Sequence, residues 1–339
     1  MSAFRFERVD LRDVPWDELD ALPDRMVCQR QSWLSFIAES QHATPVVAAI
    51  YDGADLVAWF SGAKVRRFGI PILGSPFRGW SSSYLGFNVV EPGIDRAELA
   101  RALPAFAFGP LGCVHLELID RHLDHVPEGT DWPFSNFNSW SLDLTGGSDA
   151  ILAGMSKSCR ANIRKAERHG VVVADEGPAG FADLYYSQIT EVFAGQGRSV
   201  PFPRERVQLL LDHLRPEERM CLVARNEDGA PIGSGLFVGT ERYGDLWGMA
   251  STLADRSSYP NEAVMWAAID GWRERGAQSF EFGGGGRRFK AKFGGEPTLA
   301  AWMRVSRWSG VATARTYAGA LHKKVRKAGG VRGLLPARS

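Results

Sequence analysis

The sequence predicts a mixed α/β protein made of two units of the same kind. Three observations carry this. Strand-like and helix-like segments alternate along the 339 residues. Two hairpin turns, IYDGADLVA at 50–58 and ARNEDGAPIGS at 224–234, each set Asp-Gly-Ala between apolar strands early in its half. A Gly-Gly-Ser run at 146–148 separates the halves. The expected division is 1–145 and 146–310, followed by a basic tail.

In the first half, 32–40 reads as a helix capped by Ser32, with Trp33, Phe36 and Ile37 inward. Strands at 46–51 and 56–65 form the first hairpin. The stretch 71–87, rich in Gly, Ser, Pro and aromatics, reads as irregular, and such loops often carry binding groups. Its Arg78, Trp80 and Tyr84 are candidates for holding an acceptor, although the two aromatics fit a core edge equally well. A helix at 94–107, a buried strand at 113–118, a turn-rich stretch at 131–138 and a strand at 139–144 complete this half.

The second half opens with SKSCRANIRKAERHG (156–170), a helix between the N-cap Ser156 and the stop Gly170. Lys157, Arg160, Arg164 and Arg168 form one cationic stripe, opposite Cys159, Ile163 and Ala166. A strand at 171–174, helices at 180–195 and 203–214, and the second hairpin at 220–225 and 232–239 follow. A strand at 243–250 leads to a helix at 260–275, begun by Pro260. The stretch QSFEFGGGGRRFKAKFGGE (278–296) then passes from a short strand through four glycines into Arg287, Arg288, Phe289, Lys290 and Lys292. Glycines admit close backbone approach, and the cations suit an anionic ligand or a developing negative charge. A strand at 299–308 and an amphipathic basic helix at 312–327 end the chain.

Composition narrows the function classes. At 45% hydrophobic and 23% charged residues the chain is that of a soluble globular protein, and a net charge of +1 confines anion binding to local patches. Cys28, Cys113, Cys159 and Cys221 lie far apart, which fits a reducing cytoplasm rather than a disulfide framework or zinc site. The seven histidines form no metal-binding pattern, and no nucleophile elbow occurs. No apolar run is long enough to span a bilayer, and a cytoplasmic protein is expected.

The motifs SKSCRANIRKAERHGV, RSSYPNEAVMWAAIDGWRERGAQSFEFGGG and RRFKAKFGG together resemble the FemABX peptidoglycan-bridge aminoacyltransferases and the FemAB-like GNAT acyltransferases. The resemblance implies two tandem GNAT-like domains, each a mixed central sheet flanked by helices, facing each other across a cleft. It implies an acceptor side in the first domain, completed by the C-terminal segment 311–339. It also implies that Lys290, the lysine of the family's F-K-x-x-F-G-G element, stabilises the oxyanion of direct acyl transfer. Glu281 is then placed to orient the amine or the lysine. Lys157, Arg160, Arg164, Arg287, Arg288, Phe289 and Lys292, with Gly284 and Gly285, form the donor side.

The usual GNAT loop for acyl-CoA pyrophosphate opens a helix with glycines. Here DRSSYPNEAVM (255–265) has Pro260 and Asn261 instead. Aminoacyl-tRNA is therefore the favoured donor and acyl-CoA the alternative, each as co-substrate with no bound cofactor. The expected acceptor is a small-molecule amine or a cell-envelope or natural-product precursor. A reading of another class is a non-catalytic module that binds RNA, or the surface of an anionic membrane, through the 157–168 stripe and the tail cations.

Overall fold

The computed structural model describes residues 4–67, 69–77 and 79–308, with the Arg287 side chain also set aside. The strands are β1 (Phe4–Val9), β2 (Thr44–Asp52), β3 (Asp55–Arg67), β4 (Ile70–Ser75), β5 (Gly86–Val89), β6 (His115–Ile119), β7 (Phe134–Asp143), β8 (Val172–Asp175), β9 (Arg219–Arg225), β10 (Pro231–Gly239), β11 (Tyr243–Ser251), β12 (Ser279–Glu281) and β13 (Glu296–Ser306). The helices are α1 (Trp16–Asp20), α2 (Gln31–Gln41), α3 (Arg96–Phe108), α4 (Gly147–Gly154), α5 (Lys157–Arg168), α6 (Phe181–Ala194), α7 (Arg204–His213), α8 (Pro260–Glu274) and α9 (Arg287–Lys292).

Both halves repeat one path. An edge strand pairs antiparallel with a hairpin, β1 with β2–β3 and β8 with β9–β10. A third antiparallel strand follows, β4 or β11. A helix, α3 or α8, then leads to a strand parallel to that third one, giving β4–β6 and β11–β12. The next strand of each half crosses over. β7, from the first half, pairs with β12, while β13, from the second, pairs with β6, and β7 and β13 pair with each other. The expected pair of mixed sheets is thus present but merged edge to edge into one sheet, ordered β1-β2-β3-β4-β6-β13-β7-β12-β11-β10-β9-β8, with β5 on β3.

Helices cover both faces. On one face α1, α2, α6 and α7 pack over a single apolar layer that includes Trp33, Phe36, Trp59, Tyr185, Leu210 and Leu236, so the halves share a core. On the other face each half has its own core, under α3 in the first and under α4, α5 and α8 in the second. This layering buries apolar stripes of helices against a sheet, the dominant favourable term in such folds.

Several local expectations shift. Helix α2 begins at Gln31 with extended Arg30 as its cap residue, not at Ser32. The stretch 71–87 is irregular only in its middle, because Pro71–Leu73 pairs with β3 and residues 86–87 with β3 again. Strand β7 starts at Phe134, inside the stretch read as turns. Its Ser and Asn residues alternate with aromatics along a strand that is half exposed. The Gly-Ser run at 147–148 opens α4 instead of a linker. The cations that follow the four glycines lie on a short helix, residues 287–292. The C-terminal helix at 312–327, its cations and the completion of the first domain by 311–339 fall outside the described residues, as does Arg78.

Candidate active site

The site lies at the carboxyl end of β12. Only three residue pairs join β12 to its parallel neighbour, the last being Asp245 with Glu281. β11 runs on to Ser251, and its Leu246–Met249 stretch is half-buried beside the gap left by β12. The chain turns at Gly283, Gly285 and Gly286, all at positive φ (65°, 78° and 60°), where other residues are strained. Gly286 caps α9, whose first full turn carries Lys290 back over the glycines.

Lys290 is 4% exposed. Its Nζ donates to the carbonyl oxygens of Gly283 and, at 3.0 Å, Gly284, which leaves one N–H. Burial pushes its pKa down to about 8, against the attraction of Asp245. Asp245 is buried and accepts from the Ser83 hydroxyl at 3.0 Å. Burial, then the charge of Glu281, pushes its pKa up to about 7, while Ser83, Lys290 and Arg121 act in the opposite sense. Such a carboxylate exchanges protons near neutrality, which suits general acid–base work.

Asp245 is the residue that sequence reasoning misses. Its one signal is an acid among apolar neighbours in YGDLWGMA, a strand pattern with no place for a charge unless it is used or paired. Glu281 does not orient Lys290. It is fully buried, and Arg121 from the first half donates to its Oε1 through Nε at 3.1 Å and through Nη2. Residues 160 positions apart thereby meet at one seam, with Tyr84 nearby and its hydroxyl pushed up to about 12 by burial and then by Glu281.

The remaining candidates separate. Gly284, Gly285 and Arg288 are exposed at the loop, and Phe289 packs on Phe293, ring centroids 5.1 Å apart. Lys292 is already paired with Glu262 at 2.7 Å and lies 4.3 Å from the Phe289 ring centre, so it is no free phosphate contact. Arg160 is likewise committed, donating to the carbonyls of Leu152, Ala153 and Met155 at the end of α4. Lys157 and Arg164 are exposed, on a helix capped by Ser156 as expected. Trp80 is 5% exposed and packed on Phe77 in the shared core, the core-edge role that its sequence context also fits. Tyr84 is buried too, but borders the acidic pair.

The start of α8 differs from an anion cradle. Pro260 removes one N–H, and the first turn carries the Glu262 carboxylate, held by Lys292 and by Asn162 at 3.0 Å. A carboxylate thus stands where a helix N-terminus would receive a phosphate. Among the described residues no group of side chains could hold a metal ion, and no helix is long and apolar enough to cross a membrane.

The candidate site is thus a parallel strand pair that parts over a glycine turn, with a buried lysine beside a buried carboxylate. Residues 153–291 match the acetyltransferase (GNAT) domain family. The chain also resembles FemX in fold, with a TM-score of 0.67 at 11% identity over 88% of this chain and 97% of that one. A conserved protein of unknown function from Bacteroides thetaiotaomicron VPI-5482 is similar at TM-score 0.59 and 11% identity, over 90% of this chain and all of that one. No curated protein matches the sequence. The resemblance to FemABX and GNAT acyltransferases drawn from the motifs is borne out in fold by FemX and, over residues 153–291, by the match to an acetyltransferase domain.

Proposed function

We propose that the protein transfers an aminoacyl group from aminoacyl-tRNA to the amine of a small-molecule or cell-envelope precursor, by direct attack. The observation that carries the donor assignment is the start of α8, where Pro260 and the paired Glu262 take the place a CoA pyrophosphate would need. Lys157, Arg164 and Arg288 are exposed, which supports their use as contacts to the donor's phosphates.

In this reading the amine nitrogen attacks the ester carbonyl carbon, and Asp245 receives the nitrogen's proton. The remaining N–H of Lys290 faces the oxyanion, where one such donor contributes about 3–4 kcal/mol. The tetrahedral species collapses with cleavage of the carbon–ribose oxygen bond, and Asp245 returns the proton to that oxygen. A covalent thiol intermediate is disfavoured. All four cysteines are buried, and burial raises their thiol pKa, to about 12 for Cys28 and Cys221 and about 11 for Cys159.

The test offers a charged tRNA pool and an acyl-CoA pool in parallel, with mixed amines. Discharge of tRNA that disappears in Lys290→Ala is expected. Consumption of acyl-CoA with charged tRNA left intact would overturn the donor assignment. RNA co-purifying at low salt without any transfer would instead favour a binding module.

A further inference from the structure

Asp245 and Glu281 are Cα partners on adjacent parallel strands, so their side chains leave the sheet side by side on one face. They are 4% and 0% exposed. Two ionised carboxylates so placed repel, and such a pair ionises in two separated steps. The compensation they receive is unequal. Arg121, two residues beyond β6, donates twice to Glu281 Oε1 and lies 5.5 Å from the Tyr243 ring centre. Asp245 has the Ser83 hydroxyl and the more distant charge of Lys290. The other titratable groups around the pair are Cys28, Tyr84 and Tyr243, all with raised pKa and therefore uncharged at neutral pH. Glu281 Oε2 has no hydrogen-bond partner among the described residues.

We propose that Arg121 is a positioning residue supplied by the first half, which assigns the negative charge of the pair to Glu281 and so leaves Asp245 as the proton-exchanging member. This rests on the reading of Asp245 as the base. It makes the first half a direct contributor to the protonation chemistry of the second, through one guanidinium at the seam where β7 and β13 cross over.

The two ends of the Arg121–Glu281 pair then act oppositely. Glu281→Gln removes the negative neighbour and should lower the Asp245 titration midpoint by about one unit or more. Arg121→Gln removes the counter-charge, so the last proton of the pair is held more tightly, and the midpoint should rise by about one unit or more. Arg121→Lys keeps the charge and should stay near the wild-type midpoint.

Titration is read by 13C NMR on protein labelled at the aspartate Cγ, with Asp245 identified by the signal lost in Asp245→Asn. No substrate is needed, so this result stands apart from the transfer assay: a failure here leaves the donor assignment untouched, and the reverse also holds. Opposite shifts support the proposal. Shifts in the same direction, or midpoints unchanged in both variants, overturn it. Should Arg121→Gln not fold, Glu281→Gln against Arg121→Lys decides, and equal midpoints in these two overturn the assignment.

Discussion

The two parallel strand pairs, β4–β6 and β11–β12, occupy equivalent places in their halves, yet only the second ends in the candidate site. In the first half, β5 takes up the row on β3 beyond the end of β4. The Ser75 hydroxyl bridges that join, donating to Ser61 O at 2.5 Å and accepting from Gly86 N at 2.7 Å. The acid there, Asp120, is saturated. It accepts from Phe87 N at 2.7 Å, from His122 N at 2.9 Å and from the Arg96 guanidinium. A side chain at Gly86 would run into that carboxylate. In the second half β11 runs on past its last pair with β12, held on its other side by β10, and Asp245 has one hydroxyl donor. On the proposed reading, the acid is fully hydrogen-bonded where the framework only holds the fold and has a single donor where it does chemistry.

The largest effects should separate these roles. Lys290→Ala is expected to lower kcat about a hundredfold or more with little change in KM, because its free N–H acts as charge develops. Asp245→Asn should lower kcat by about a hundredfold to ten-thousandfold. Wild-type kcat in a folded Lys290→Ala protein would return the lysine to a structural role as a clasp on the glycine turn.

Asp120→Asn should do the reverse. Breaking a buried, paired carboxylate costs about 3 kcal/mol of stability, seen in urea melts, while the folded fraction keeps its kcat. Equal losses of activity for the two aspartates would break the comparison.

Stability against pH sharpens it further. The folded-state pKa of Asp245, about 7, lies above its unfolded value, so the folded protein binds an extra proton between about pH 4 and pH 7. Its contribution is fully present below that window and is lost as pH rises through 7. Asp245→Asn should therefore be more stable than wild type at pH 8, by roughly 2 kcal/mol or more, with the advantage shrinking toward pH 4. A constant difference across this range would show that Asp245 does not titrate there.

The sequence carried local elements well and assembled ones poorly. Helix α5 with its Ser156 cap, both hairpins and the glycine turn before Lys290 follow from short-range rules of capping, alternation and turn chemistry. Arg121 and Glu281 lie 160 residues apart, and nothing local links them. The exchange of β7 and β13 is also a long-range pairing, invisible to periodicity. Charge counting assigned Arg160 and Lys292 to the donor because it cannot see that carbonyls and Glu262 already hold them.

That last difference gives the smallest predicted effect, within α5 itself. Arg160 and Arg164 sit one turn apart on the same stripe. Arg160 ties off the carbonyl end of α4, and since hydrogen bonds from a charged donor count for roughly 1.5–3 kcal/mol, Arg160→Ala should cost about 2 kcal/mol of stability. Arg164 is exposed, with its guanidinium in no ion pair among the described residues. Arg164→Glu should leave stability within about 0.5 kcal/mol. If the stripe faces the donor's phosphates, the same change should raise the donor KM about two- to fivefold at low salt, and the increase should fade as added salt screens the surface. The measurement is KM for charged tRNA at several salt concentrations, with urea melts on both variants. A salt-independent KM in Arg164→Glu would make the outer stripe ordinary solvated surface and leave tRNA contact to Arg288 and the glycine turn.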